Sequence, residues 1–297
     1  MEKKFLTSEN GKVYYLKWEA EAPRCAVVIS HGMVEHPARY DAFARYLNEN
    51  NITVYGIYHI GHGEDAECLG HMDDGDFGRC IDNLHALVSL AREETCLPVI
   101  LLGHSMGSFM SQLYVTKYHD IDALILSGST KAAPIAKIGA NVAKVLHAFS
   151  RDKTAPSFFM NAMAFGSYNK KFSDHRSVFD WLSRDCKEVK KYVDDPLCGA
   201  ICSIGFFKNL TGAMAEMGKA ELIRNVDTSL PIYIQGGSMD PVSDYGRGLV
   251  ALKKQYVDLG VERVDFTMYD GARHEILNET NRREVYENTL AFINSVI

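Results

Sequence analysis

The chain has 297 residues, 46% hydrophobic and 24% charged, which suits a globular protein with a sizeable core. A formal net charge of −6, with no Lys/Arg block, excludes a reader of nucleic acids or other polyanions. The N-terminus turns polar at once (Met1-Glu2-Lys3-Lys4), and no apolar run approaches the length of a membrane span, so neither a signal peptide nor a transmembrane segment is expected.

In chain order, residues 13–18 read as an early strand with aromatic and β-branched character. A buried strand over 25–30 runs into His31-Gly32-Met33-Val34-Glu35-His36. Helical spacing follows over 39–50, then a strand over 52–58 and an amphipathic helix over 76–93. A short apolar run over 99–102 reads as a buried strand, and Gly103-His104-Ser105-Met106-Gly107 leads from it into another helix. A further strand is expected over 123–127. Strands and helices alternating at this rhythm indicate a mostly parallel sheet with helices on both faces.

From about 129 to 228 the rhythm breaks, and the stretch reads as an inserted helical cap. The core is then made of residues 1–128 and 229–297. Ile135, Ile138, Val142, Val145, Leu146 and Phe149 recur at helical spacing, followed by a Met- and Phe-rich run over 157–165. Such a stripe either buries against its own domain, lines an acyl tunnel, or rests transiently on a membrane surface. Strands over 231–236 and 263–269 and helices over 245–259 and 282–296 complete the chain.

The seven cysteines are odd in number and scattered, which fits reduced thiols in the cytosol better than a disulfide framework. Cys198 and Cys202 read as small apolar residues one helical turn apart. Without a matching His/Cys pair, no metal site is expected.

The Gly-x-Ser-x-Gly motif between a strand and a helix is the setting of a nucleophile elbow, with Ser105 on a strained turn and the glycines relieving contacts with neighbouring chain. A serine nucleophile needs a base and a group to orient that base, in the chain order serine, acid, histidine, at the carboxyl ends of strands. Of His119, His147, His175 and His274, only His274 follows a core strand. Asp240, after the 231–236 strand, is preferred as the acid over Asp270, which reads as part of the turn before His274. The backbone amides of Met33 and Met106 are the expected oxyanion hole, with His31 propping the Met33 loop.

His31-Gly32-Met33 with Glu35-His36 and Arg39-Tyr40, Gly61-His62-Gly63, the Ser105 elbow, Asp240-Pro241-Val242 and Arg273-His274-Glu275 together resemble the monoacylglycerol lipase and lysophospholipase branch of the α/β-hydrolases, the serine-aminopeptidase-like group. The resemblance covers essentially the whole chain and is weakest in the cap. Tyr58, Val34 and Ser108 depart from that branch's usual aspartate, small residue and glycine. Val34 bears on the oxyanion loop, because a β-branched residue resists positive φ.

The resemblance implies an α/β-hydrolase fold and hydrolysis of monoacylglycerols, lysophospholipids or related acyl esters through an acyl-enzyme, with no cofactor or metal. Gly32, His104, Ile138, Val142, Phe158, Phe159 and Met163 are the residues expected to border the substrate. An amidase or aminopeptidase using the same triad, and a catalytically silent binding module, are the alternatives. The oligomeric state is left open.

Overall fold

The computed structural model describes residues 1–132, 135–173 and 176–297. Eight strands form one sheet in the order β1-β2-β4-β3-β5-β6-β7-β8. They are β1 (Glu2–Ser8), β2 (Gly11–Trp18), β3 (Cys25–Ser30), β4 (Ile52–Ile57), β5 (Val99–His104), β6 (Ala123–Ser127), β7 (Ile232–Gly237) and β8 (Val264–Tyr269). The first two strands run antiparallel at one edge, and the other six are parallel. Every residue of β3, β4, β5 and β6 is buried, as expected for strands covered on both faces.

One face packs on α1 (Asp41–Asn48) and the C-terminal α10 (Arg282–Asn294) through Phe43, Leu47, Val285 and Phe292. The other packs on α2 (Asp76–Thr95), α3 (Met106–Tyr114) and α9 (Arg247–Leu259) through Leu84, Leu87, Phe109, Leu249 and Leu252. The fold is thus the expected α/β arrangement. The strand β1 was not expected: it is a half-exposed edge whose Lys3 and Lys4 hide the alternation that places Phe5 and Tyr14 across from one another.

Between β6 and β7 the named elements are helical: α4 (Ile135–Phe149), α5 (Phe158–Phe165), α6 (Cys186–Asp194), α7 (Ile204–Glu216) and α8 (Ala220–Ile223). Helix α7 roots this insert on the core by burying Phe206, Phe207 and Leu210 with residues of α2 and α3. Helix α4 lies on α7 through Ala136, Ala140 and Ala143, which are buried, whereas Ile138, Val145, Leu146 and Phe149 face solvent. These four bulky residues of the stripe therefore do not bury against their own domain, whereas Val142 is partly buried against the core. Small residues form the contact instead and let the two helices approach closely, with Thr211 facing Gly139. Cys198 and Cys202 lie in a loop rather than on a helix, which corrects the one-turn spacing expected of them. All seven cysteines are unbridged, and among the described residues no helix is long and apolar enough to cross a membrane.

Candidate active site

Three strand ends converge at the carboxyl edge of the sheet. Strand β5 stops at His104, and Ser105 turns the chain into α3 with φ 51° and ψ −119°. A positive φ on a non-glycine residue is strained by about 1–3 kcal/mol and persists only where its surroundings over-determine it. Those surroundings are visible. Ser105 N–H donates to the Ser127 carbonyl at 3.0 Å, and the Ser105 carbonyl accepts from Ser108 N–H at 2.9 Å and Ser108 Oγ at 2.6 Å.

Both flanking glycines are required by close approach. A Cβ on Gly107 would stand 2.0 Å from the Ser30 carbonyl oxygen, and one on Gly103 would stand 2.6 Å from the Gly107 carbonyl oxygen. The departure at Ser108 therefore has a local use, as its hydroxyl donates to the Ser105 carbonyl and also lies within hydrogen-bond distance of Ser129 Oγ, at 2.7 Å.

Two strands away, β7 ends in the turn that holds Asp240, which is fully buried. Its Oδ1 accepts Val242 N–H at 2.8 Å, leaving Oδ2 to meet His274 Nδ1 at 3.0 Å. His274 lies in the loop after β8 and is 2% exposed. Burial opposes its protonation, but the Asp240 carboxylate, with Glu275 and Glu35 behind it, outweighs burial and holds the imidazole above its ordinary pKa. Its ring lies 4.8 Å from that of His104, the residue before Ser105. Asp270, the rival acid, is exposed and accepts from Ser238 Oγ at 3.2 Å.

The loop after β3 sits beside the elbow, and a Cβ on Gly32 would be 3.3 Å from Ser105 Cβ. Met106 is the first residue of α3, where an amide has no intrahelical acceptor. Val34 takes φ 47° despite its β-branch. Three bonds hold it there: its N–H donates to His62 Nε2 at 3.0 Å, and its carbonyl accepts from Gly199 N–H at 3.0 Å and Tyr192 OH at 3.1 Å.

His62 in turn donates from Nδ1 to the Ile60 carbonyl at 2.9 Å, which fixes its neutral tautomer. His31 behaves alike, donating from Nδ1 to the Gly32 carbonyl at 2.7 Å and accepting His59 N–H at Nε2. It props the loop as expected. Burial, the leading cause in each case, pushes His31 and His59 well below the ordinary histidine pKa, and His62 and His104 down to about 4.

The sequence reading missed a buried ionic connection. Arg39 is bidentate to Glu275 at 2.5 and 2.7 Å and also donates to Glu35 Oε2 at 2.7 Å, while Glu35 Oε1 accepts Gly32 N–H at 2.6 Å. The loops carrying Met33 and His274 are thereby joined. Trp181 was also missed. Its ring lies 5.1 Å from the His274 ring, and Glu275 N–H donates to the Leu182 carbonyl at 2.7 Å, so the insert is fastened over the histidine.

Of the residues expected to border substrate, Gly32 and His104 are buried beside Ser105, and Val142 packs partly buried against the core. Ile138, Phe158, Phe159 and Met163 lie at the surface, each more than half exposed. His147 is buried within the insert beside Lys208, and His175 lies outside the described residues.

The chain is 27% identical over 290 residues to a monoacylglycerol lipase of Mycolicibacterium smegmatis, covering 95% of this chain and 92% of that one. It is 28% identical to the monoglyceride lipase of Mus musculus, covering 98% and 88%. The crystal structure of a thermostable carboxyl esterase from Bacillus coagulans, in complex with glycerol, superposes with a TM-score of 0.92 at 28% identity, over 99% of this chain and 98% of that one. The family described as serine aminopeptidase, S33, matches residues 21–281. With that match spanning six of the eight strands and the insert, the chain belongs to the serine aminopeptidase, S33, family of α/β-hydrolases, within its monoacylglycerol lipase branch, and is a serine hydrolase.

Proposed function

We propose that this chain hydrolyses carboxylic esters, monoacylglycerols foremost and lysophospholipids or related acyl esters beside them. The buried 3.0 Å contact between His274 Nδ1 and Asp240 Oδ2 carries the reading, because it leaves Nε2 as the base at the strand ends that also present Ser105. Ser105 Oγ attacks the acyl carbonyl as His274 takes its proton. The Met33 and Met106 amides receive the oxyanion, and His274 then protonates the departing alcohol. Water repeats the sequence on the acyl-enzyme and releases the fatty acid.

In this reading residues 129–228 are the cap, and its outward Ile138, Phe149, Phe158 and Phe159 supply a transient contact with a lipid surface from which the substrate is drawn. Seven free thiols support a reducing, cytoplasmic setting. The family's aminopeptidase description keeps an amide substrate as the second reading.

A panel of monoacylglycerols, lysophospholipids, short esters and an aminoacyl arylamide, read with wild type and Ser105→Ala, tests both. Ester turnover lost in Ser105→Ala, with the arylamide untouched, is the expected result. Ester turnover that survives Ser105→Ala refutes it, and a faster arylamide reverses the order of the two readings.

A further inference from the structure

A second cluster of chemistry-bearing side chains lies apart from Ser105, where the loop after β3 meets the turn that follows α6. His36 stands two residues beyond Val34, is buried, and is pinned by Pro37 at the start of a 3-10 helix over Pro37–Tyr40. Across from it, Asp195-Pro196-Leu197-Cys198 forms a turn closed by Cys198 N–H on the Asp195 carbonyl at 3.0 Å. Proline suits the second position of such a turn, and the turn brings its first and fourth residues together. Asp195 Oδ2 lies 2.8 Å from His36 Nε2, and one donor atom each of His36, Asp195 and Cys198 falls within 4.8 Å of the others. The remaining ring nitrogen of His36, Nδ1, is buried and has no hydrogen-bond partner among the described residues.

We propose that His36, Asp195 and Cys198 form a Zn²⁺ site, with water as the fourth ligand, that acts as a brake on the enzyme. An imidazole, a carboxylate and a thiolate make a donor set that zinc accepts, and hard ions such as Mg²⁺ and Ca²⁺ do not favour the sulfur. A tetrahedral ion with bonds of about 2.0–2.3 Å holds its donors roughly 3.3–3.8 Å apart. The histidine–aspartate pair therefore opens slightly and the sulfur closes in.

The surrounding charge favours a cation. Glu35 and Glu275 share the single positive charge of Arg39, and Asp195 adds a carboxylate beside His36, so negative charge is in excess around the thiol. Binding forms a Zn–S bond at Cys198 as its S–H bond breaks, and the proton leaves to solvent.

The residues on either side of this turn grip the oxyanion loop, since Gly199 just after it and Tyr192 of α6 just before it both donate to the Val34 carbonyl. An ion bridging His36 to Asp195 and Cys198 fastens the insert to the loop that carries the Met33 amide. Movement of the insert for substrate entry or product release is then slowed.

The test titrates chelator-stripped full-length protein with Zn²⁺ by calorimetry, and with Co²⁺ as a spectroscopic probe of sulfur ligation. Wild type should bind one ion, show a thiolate-to-cobalt charge-transfer band, and lose alkylation at Cys198 when zinc is present. Cys198→Ser should lose the band, and both Cys198→Ser and Asp195→Asn should bind at least about tenfold more weakly. Circular dichroism and Tm confirm that each variant is folded, and protection of Cys198 in wild type gives a readout that needs no variant.

No band in wild type, a band that survives Cys198→Ser, or unchanged alkylation at Cys198 overturns the site. Zinc should also slow ester turnover of wild type and spare Cys198→Ser. Equal slowing of both overturns the brake.

Discussion

Acidification should unfold this protein through its buried neutral histidines, and the size of the effect can be worked from two of them. His62 and His104 have folded pKa values of about 4, against 6.5 for the unfolded chain. As pH falls through 6.5 the unfolded chain takes up protons that the folded chain refuses, so stability present above 6.5 is lost towards 4. At about pH 5 each group contributes a loss of roughly 2 kcal/mol, and the pair about 4 kcal/mol. His31 and His59, also lowered, act in the same sense. His274, raised by Asp240, acts in the opposite sense: its stabilisation is present below 6.5 and is lost as pH rises through its folded value. The net loss is large against a total stability of about 5–15 kcal/mol.

Urea unfolding followed by tryptophan fluorescence, extrapolated at about pH 7.5 and about pH 5, measures it. His104→Asn should remove about 2 kcal/mol of the pH dependence. A difference below about 1 kcal/mol in wild type between the two pH values would show that these imidazoles are not held neutral, and the reasoning fails.

The other expectations concern the site and the insert. Asp240→Asn should lower kcat on the order of 10³–10⁴-fold with the Tm little changed, as read by steady-state ester kinetics and a thermal melt. In wild type kcat/KM should rise with pH through a midpoint above 6.5, because His274 acts as a base only when neutral and Asp240 holds its pKa up; a midpoint at or below 6.5 in a pH–rate profile counts against the pairing. Gly107→Ala should destabilise by roughly 3 kcal/mol in urea unfolding, since its Cβ meets the Ser30 carbonyl, which is backbone and has nowhere to go. Replacing Phe149 and Phe158 together by Ser should weaken vesicle pelleting at least tenfold while leaving turnover of a soluble short ester unchanged, since both side chains point to solvent.

The parts that the sequence made legible are those whose burial is decided along the chain itself. Strands β3, β5 and β6 are covered on both faces, so their side chains form continuous apolar runs, and Ser105, Asp240 and His274 follow from position after a strand. Strand β1 escaped because an edge keeps its lysines in water. The outward face of α4 was not legible either, since periodicity gives an apolar stripe without saying that Ala136, Ala140 and Ala143 would take the contact.

Three other features depend on loops far apart in the chain: His62 bonding Val34, Arg39 joining Glu35 to Glu275, and Trp181 over His274. Glu35, Arg39 and Glu275 were among the motif residues, and their signal was charge of both signs beside apolar strands, which only a buried pairing accommodates. The cluster of His36 with Asp195 and Cys198 had no local spacing to betray it, because its halves are 159 residues apart.

The backbone at Ser105 bears on whether the protein still works as an enzyme. At φ 51° a glycine would rest more easily than a serine, so thermodynamics alone favours discarding the hydroxyl. A lineage that had given up hydrolysis and kept only the scaffold would gain stability by that exchange and lose nothing it used. The residue least comfortable in its place is the one the proposed hydrolysis needs, and its presence there argues for turnover over mere binding.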